Sequence, residues 1–382
     1  MKALTLQTQE IDAATAVAEL IALATEQLAG DAPVAAFLFA STDYDHQTLL
    51  DAIAEQWPGL PLVGGSTDGE ISNSGFAADS VLLTILAGKG LRARTGLGRN
   101  LSLDTNRAIT EALQSRGPDT RLCWTVFAPT SNSTAVVRRL QNELGSKCPV
   151  VGGLTGDHRE YTRMVEFCGR EVLTDSLPVM FLEGDFFVSC GIGTGWFPIG
   201  EPKVVTKSDG HWIREIGGRP ALELYCDYFG VMPQKASLGE YPIAVFPHGS
   251  DGPFHLRAVL DSDLASGSLR VAGEVLEGSL IRLTEVLPEG ILAGSTESAH
   301  KALESYRGED PLLAFVFSCA ARKWVLGTRA EEEIGLLLDT FRRAGVEPAI
   351  AGGYCFGEIG PASHGALSEF HNETCVTVLL GR

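Results

Sequence analysis

Five residues beyond the second glycine of a Gly-Gly pair, the chain carries Glu70, His158 and Glu358 in turn. The three surrounding stretches are Pro61 to Glu70, Pro149 to His158 and Ala349 to Gly360, in each of which a few apolar residues run into Gly-Gly and a third glycine follows closely. Such a segment is a buried strand ending in a tight turn, and turns of this kind at the carboxyl ends of parallel strands let a ligand approach backbone amides. Close packing of two parts of the chain is the other use of a glycine pair. Around the third copy, Arg322, Glu358, His371 and Asn372 fall at loop ends. Arg322 would take a ligand carboxylate in a bidentate fork, Glu358 an amine, and Asn372 would orient the contact.

Enzyme chemistry finds little support. Cys319 with His371 offers a thiol and a base, although a cysteine closing an apolar strand is ordinary packing. No Gly-x-Ser-x-Gly elbow, His-Glu-x-x-His helix or lysine-containing phosphate loop is present. Gly191 to Gly195 is glycine-rich, but Trp196-Phe197-Pro198 follows it in place of a helix, so a strand-end turn is expected. Of the histidines, His46, His211, His300 and His364 lie among polar residues, whereas His158, His248, His255 and His371 lie beside apolar strands or glycine turns. A binding protein and not an enzyme is expected, with a cysteine-dependent hydrolase or transferase using Cys319 and His371 as the competing class.

Composition narrows the class further. The chain has 382 residues, enough for about two domains. Its formal charge of −18 disfavours nucleic acid and anionic membranes, both of which reward clustered Lys and Arg. The N-terminus has no apolar signal-peptide core and no run is long enough to span a bilayer, so a cytoplasmic protein without membrane insertion is expected. The eight cysteines are widely spread without a Cys-x-x-Cys pair and are expected to be buried reduced thiols; no metal-ligand spacing is legible.

The elements that position these residues recur. Val34 to Phe39 is an apolar run of strand length, Asp43 or Asp45 can cap a helix carrying Leu49, Leu50, Ile53 and Trp57, and Pro61 to Gly65 is the next strand, making a βαβ unit. Phe39 and Phe127, Pro61 and Pro149, and Gly64 and Gly152 share one offset of 88, which marks an internal duplication near 31–98 and 119–195 arranged about a pseudo-twofold axis. A third unit runs from Leu312 to Gly353, with about ten extra residues around Arg322 to Arg329. The expected fold is α/β: internally duplicated βαβ units forming parallel or mixed sheets packed by helices, in two domains, 1–205 and 206–382. The Gly- and Pro-rich stretch from Pro198 to Pro220 is the expected boundary.

Val63 to Glu70 with Asp79-Ser80-Val81 resembles the N-terminal FIST domain. Ser318 to Arg322, Gly353-Tyr354 with Gly357 to Pro361, and His371-Asn372 with Thr374 resemble the C-terminal FIST domain. The resemblance implies a sensory module that binds a small ligand and regulates a partner signalling protein. Some bacterial members are nitric-oxide-sensing haemoproteins acting on a histidine kinase, so haem and a two-component partner are implied by the resemblance alone; an amino-acid-like metabolite without haem is the alternative ligand. Ser66, Thr67 and Tyr354, which stand in the matching stretches, join Glu70, His158, Cys319, Arg322, Glu358, His371 and Asn372 as candidate ligand-binding residues.

Overall fold

The computed structural model describes residues 1–230, 240–247, 252–363 and 365–382. His248 and His364 lie outside the described residues. The chain is a two-domain mixed α/β protein in which one supersecondary unit occurs three times.

The first unit contains β1 (Lys2–Thr8), α1 (Ala13–Leu28), β2 (Pro33–Ala40), α2 (His46–Gln56), β3 (Leu62–Ser66), a hairpin of β4 (Glu70–Ser72) and β5 (Gly75–Ala77), and β6 (Val81–Ala87). The second repeats the order: β7 (Arg92–Arg99), α3 (Thr105–Leu113), β8 (Thr120–Phe127), α4 (Ser133–Leu144), β9 (Val150–Leu154), hairpin β10 (Glu166–Cys168) and β11 (Glu171–Leu173), then β12 (Ser176–Glu183).

The third begins with β13 (Phe187–Gly193) and is interrupted by an insert. The insert holds β14 (Phe197–Asp209), β15 (Trp212–Ile216), β16 (Arg219–Pro220), α5 (Ala221–Phe229), β17 (Ile243–Phe246), β18 (His255–Arg257), β19 (Val259–Asp263), β20 (Ser268–Val271) and β21 (Leu280–Glu285). The unit resumes with α6 (Pro288–Ser305), β22 (Pro311–Cys319), α7 (Ala320–Leu326), α8 (Ala330–Arg343) and β23 (Ala349–Cys355). Hairpin β24 (Glu358–Pro361) and β25 (Ser368–His371) leads into β26 (Cys375–Gly381).

Local sequence accounts for these elements. Asp12, Asp45, Asp104 and Asn132 cap α1 to α4 by accepting the backbone N–H three residues on. Along β2 the side chains alternate: Phe37 and Phe39 enter a central core, while Ala36, Leu38 and Ala40 meet the layer under α1 and α2. Both faces are therefore covered, which is why the strand is apolar without interruption.

In each unit the two strands flanking the crossover helix, α2, α4 or α8, pair in parallel, β2 with β3, β8 with β9 and β22 with β23, and the remaining pairs are antiparallel. The units interlock by exchanging hairpins. The first unit's β4 pairs with β23 of the third, the second unit's β10 with β3 of the first, and the third unit's β24 with β9 of the second. The exchange is cyclic, so the symmetry is pseudo-threefold, and the expected pseudo-twofold pairing of the first half is corrected by the third unit closing the ring. Phe37, Trp124 and Phe315, at matching registers of β2, β8 and β22, meet on the axis with ring centroids 4.9, 4.9 and 5.9 Å apart.

The glycine pairs are explained by this packing. A Cβ at Gly64, Gly152 or Gly352 would overlap the carbonyl oxygen of Leu38, Thr125 or Val316 on the parallel neighbour. The second glycine faces the incoming hairpin: a Cβ would lie 2.8 Å from Val165 O at Gly65, 3.1 Å from Gly357 O at Gly153 and 2.9 Å from Gly69 O at Gly353. Gly191 and Gly193 likewise let β13 pass directly beneath the α6 backbone, and β13 ends at Gly193 with a short connection to β14 and no helix behind it. The stretch from Pro198 to Pro220 is not a linker. Gly200, Gly210, Gly217 and Gly218 at positive φ turn it into β14 to β16, the start of the inserted sheet. Among the described residues no helix is long and apolar enough to cross a membrane.

Candidate functional site

Threefold symmetry brings the carboxyl ends of β2, β8 and β22 to one mouth, where Ser41 and Ala128, just past their strands, and Cys319, the last residue of β22, stand at matching positions. The true equivalents of one another are Glu70, Glu166 and Glu358. Each opens its hairpin and stands opposite the second glycine of another unit, Gly353, Gly65 and Gly153. His158 is not the counterpart of Glu70 and Glu358: thirteen residues separate Gly153 from Glu166, against five in the other units, and His158 lies in the additional loop.

The three carboxyls are buried, and burial pushes each up to about 8 against the lowering effect of its hydrogen bonds. Glu70 receives the hydroxyls of Thr67 at 2.7 Å and Ser80 at 2.6 Å. Glu166 receives the Ala128 N–H at 2.8 Å. Glu358 receives the hydroxyl and N–H of Thr374 at 2.7 and 3.1 Å. Ser80 and Thr374 immediately precede the last strand of their unit and Ser176 opens it, so Asp79, Asp175 and Glu373 correspond. Asp79 lies beside His158 and Asp175 accepts from Ser102 and Thr130, but Glu373 is fully buried with positive φ of 59° and, among the described residues, its carboxyl oxygens have no hydrogen-bond partner beyond the weak donor of the Cys319 thiol. Burial and the neighbouring Glu358 hold the Glu373 carboxyl well above its ordinary range.

Near Cys319 lies an aromatic and cationic cover. Helix α7, the expected extra segment of the third unit, brings Lys323 and Trp324 to Asp68, with Nζ–Oδ2 and Nε1–Oδ2 distances of 2.8 and 3.0 Å. The additional loop of the second unit is folded around buried Asp157, whose carboxylate accepts the N–H groups of Tyr161, Thr162 and Arg163 at 2.7–2.9 Å. Its residues His158, Arg159 and Tyr161 all have positive φ. Tyr161 stacks on Phe356 at 4.7 Å, and the Arg159 guanidinium sits 3.5 Å from the Trp324 ring centroid while pairing with Glu240 at 3.1 Å. Burial, with Cys319 nearby, pushes the Tyr161 hydroxyl up to about 12.

The other expected residues divide by what they touch. Arg322 is buried and wholly engaged: it pairs with Glu333 at 2.8 Å and donates to the Thr194 and Ile291 carbonyls at 2.7 Å and to Ser295 and Ser318 at 2.6 and 3.1 Å. It is not free to fork a ligand carboxylate, because each of its three guanidinium nitrogens already donates inside the protein. Tyr354 donates its hydroxyl to the same Glu333. Ser66 accepts the Val165 N–H at 3.1 Å and so ties down the hairpin of the second unit. His371 is buried with Nε2 bonded to the Gly360 carbonyl at 2.9 Å, and burial lowers it to about 4. Asn372 is buried with Oδ1 lacking a described partner.

Cys319 is placed beside Glu358 and Glu373, and burial together with those two carboxyls pushes its thiol up, the opposite of an activated nucleophile. Ser41 Oγ, His158 Nε2 and Nδ1, and Asp68 Oδ1 are aligned at 3.3 and 3.4 Å, the order of a hydroxyl, base and acid, but Ser41 is completely buried and has no face open to a substrate. Haem needs an axial ligand facing an apolar slot. His371 has its Nε2 committed to a carbonyl, His158 is flanked by Asp68, Ser41 and Asp79, and a cavity of about 1090 Å³ at the opposite end is lined by Arg92, Arg116, Arg121 and two buried thiols without a histidine among the described residues. Neither His371 nor His158 fits an iron axial position.

Glu166, Glu373, Asp68, Tyr161 and Trp324 were not singled out by spacing. Glu373-Thr374 before the last apolar strand repeats Asp79-Ser80 and Asp175-Ser176, which is the signal that identifies it.

Comparison with known proteins gives consistent family matches. A FIST N domain model matches residues 34–219 and a FIST C domain model residues 221–361. Uncharacterised proteins of Mycobacterium tuberculosis and Mycobacterium bovis are 29% and 27% identical over 380 residues, covering 94% of this chain and 95% and 94% of theirs. Among solved structures, a cyanuric acid hydrolase aligns over 100% of this chain and 99% of its own, at 8% identity and a TM-score of 0.32. From its two domain matches, the chain belongs to the FIST family, whose domains are sensory, small-ligand-binding modules of signal transduction.

Proposed function

We propose that this FIST protein senses a small amine-bearing metabolite, bound as a cation between Glu373 and Glu358 beneath the cover of Tyr161, Phe356 and Trp324. The observation that carries this reading is Glu373. A carboxyl fully buried at strained backbone, with only the weak donor of the Cys319 thiol beside it, is costly unless something else completes it. An ammonium group does so with three donors, and the aromatic faces above favour a cation. Arg159, partly exposed over Trp324 and paired with Glu240 through one nitrogen, would take a ligand carboxylate through its remaining donors, in the role expected of Arg322.

On this reading the protein is a sensor and not an enzyme. The Cys319 thiol is held protonated by burial and by its carboxyl neighbours, which supports packing over nucleophilic catalysis. The resemblance supplies the output as a partner signalling protein, with a histidine kinase as the class to test first. A thermal-shift screen of free L-amino acids and putrescine against their N-acetylated forms tests the ligand class. Free amines should raise the melting temperature and the acetylated forms should not; equal shifts would remove the amine reading.

A further inference from the structure

The loop that covers the site carries His158, and His158 is the centre of a second constellation that faces outward. Its Nε2 lies 3.7 Å from Asp79 Oδ1 on the first unit, and Asp43 completes a group whose ligand atoms all lie within 4.8 Å of one another. Asp43 and Asp79 are mostly exposed, while His158 is largely covered. Exposed acids alone would carry no weight. Here, however, Asp68 is fully buried, its Oδ1 has no hydrogen-bond partner among the described residues, and that oxygen faces His158 Nδ1 at 3.4 Å.

The carboxylate facing Nδ1 favours the tautomer with the ring N–H on that side, which would leave the Nε2 lone pair for Asp79 and the Ser41 hydroxyl, 3.3 Å away. Asp68 is itself held by Lys323 and Trp324 through its other oxygen, so it cannot turn away. A buried carboxylate behind an imidazole whose other nitrogen meets two further carboxylates is the outer and inner shell of a metal centre. Arg163 takes Oδ1 of Asp43 at 3.0 Å, and the carboxylate keeps a second oxygen.

We infer that Asp43, Asp79 and His158 bind a divalent transition ion of the zinc class, with Asp68 as the carboxylate that orients the imidazole. One nitrogen and two carboxylates suit a borderline ion better than calcium or magnesium, which seek all-oxygen shells. Because the carboxylates belong to the first unit and the histidine to the covering loop of the second, the ion would fasten that loop in place.

The test is uptake of Zn²⁺ by the chelator-treated full chain, followed by calorimetry, with Co²⁺ absorption as a spectroscopic second readout. One equivalent is expected, lost in Asp79→Asn and in His158→Gln. Asp68→Asn, which leaves the ligating atoms in place, should weaken it by about 10–100-fold. Asp43→Asn and Asp79→Asn change exposed side chains and should fold normally, so loss of binding there is interpretable. No uptake by the wild type, or uptake unchanged in Asp79→Asn and His158→Gln, overturns the proposal. The measurement contains no amine and leaves Glu373 untouched, so it stands or falls apart from the ligand reading.

Discussion

Glu358 of the third unit stands opposite Gly153 of the second across an antiparallel pair, and the same relationship joins Glu70 to Gly353 and Glu166 to Gly65. The three contacts tie the units into a ring, and each places a carboxyl out of water.

The first prediction concerns pH. Burial raises Glu70, Glu166 and Glu358 to about 8, so between the ordinary carboxyl range near 4.5 and about 8 the native state holds protons that the unfolded chain has released. Their contribution to stability is fully present below that window and declines as pH rises through it. Denaturant midpoints measured from pH 5 to 8.5 should therefore fall, and the triple change to Gln should flatten the slope. An unchanged slope in the triple variant would show that other groups set the pH dependence.

A second prediction separates two glycines. Gly352→Ala would drive a methyl group into the Val316 carbonyl and should cost about 3 kcal/mol or more, since backbone cannot yield as a side chain does. Gly335, inside α8 with open space around it, is the control, and Gly335→Ala should stabilise by roughly 0.5–1 kcal/mol. Chemical denaturation of both variants settles the matter, and similar effects would contradict the packing account.

The buried pair of Arg322 and Glu333 gives a third. Arg322→Met alone leaves a buried carboxylate without its cation and should cost about 3–5 kcal/mol. Combined with Glu333→Gln, much of that loss should return. Additive losses in the double-mutant cycle would mean the two residues act independently.

Part of this molecule was legible in its sequence. The glycine pairs and the 88-residue offset disclosed repeated βαβ units, because each copy must bring a strand close against its parallel neighbour, and backbone proximity leaves a mark in residue type. Hairpin exchange left no such mark, since β4 carries the same residues whether it pairs with its own unit or another. Glu166 was hidden by eight additional residues of loop, which moved His158 into its numerical place. Arg322 was expected to be free because Glu333 lies a helix away in sequence, and only the fold of α7 against α8 brings the two together. Glu373 was written plainly before the final strand, but its burial comes from tertiary packing that no local pattern records.

Calorimetric titration of an amine selected by the thermal-shift screen, into the wild type, Glu373→Gln, Glu358→Gln and Glu70→Gln, tests the central claim most directly. Glu373→Gln and Glu358→Gln should each weaken binding by about 1.5–3 kcal/mol, the scale of a hydrogen bond to a charged group, while Glu70→Gln, at the matching place in another unit, should change it little. Unchanged affinity in Glu373→Gln, or equal losses at Glu70 and Glu358, would contradict a site built on the third unit's buried carboxyls.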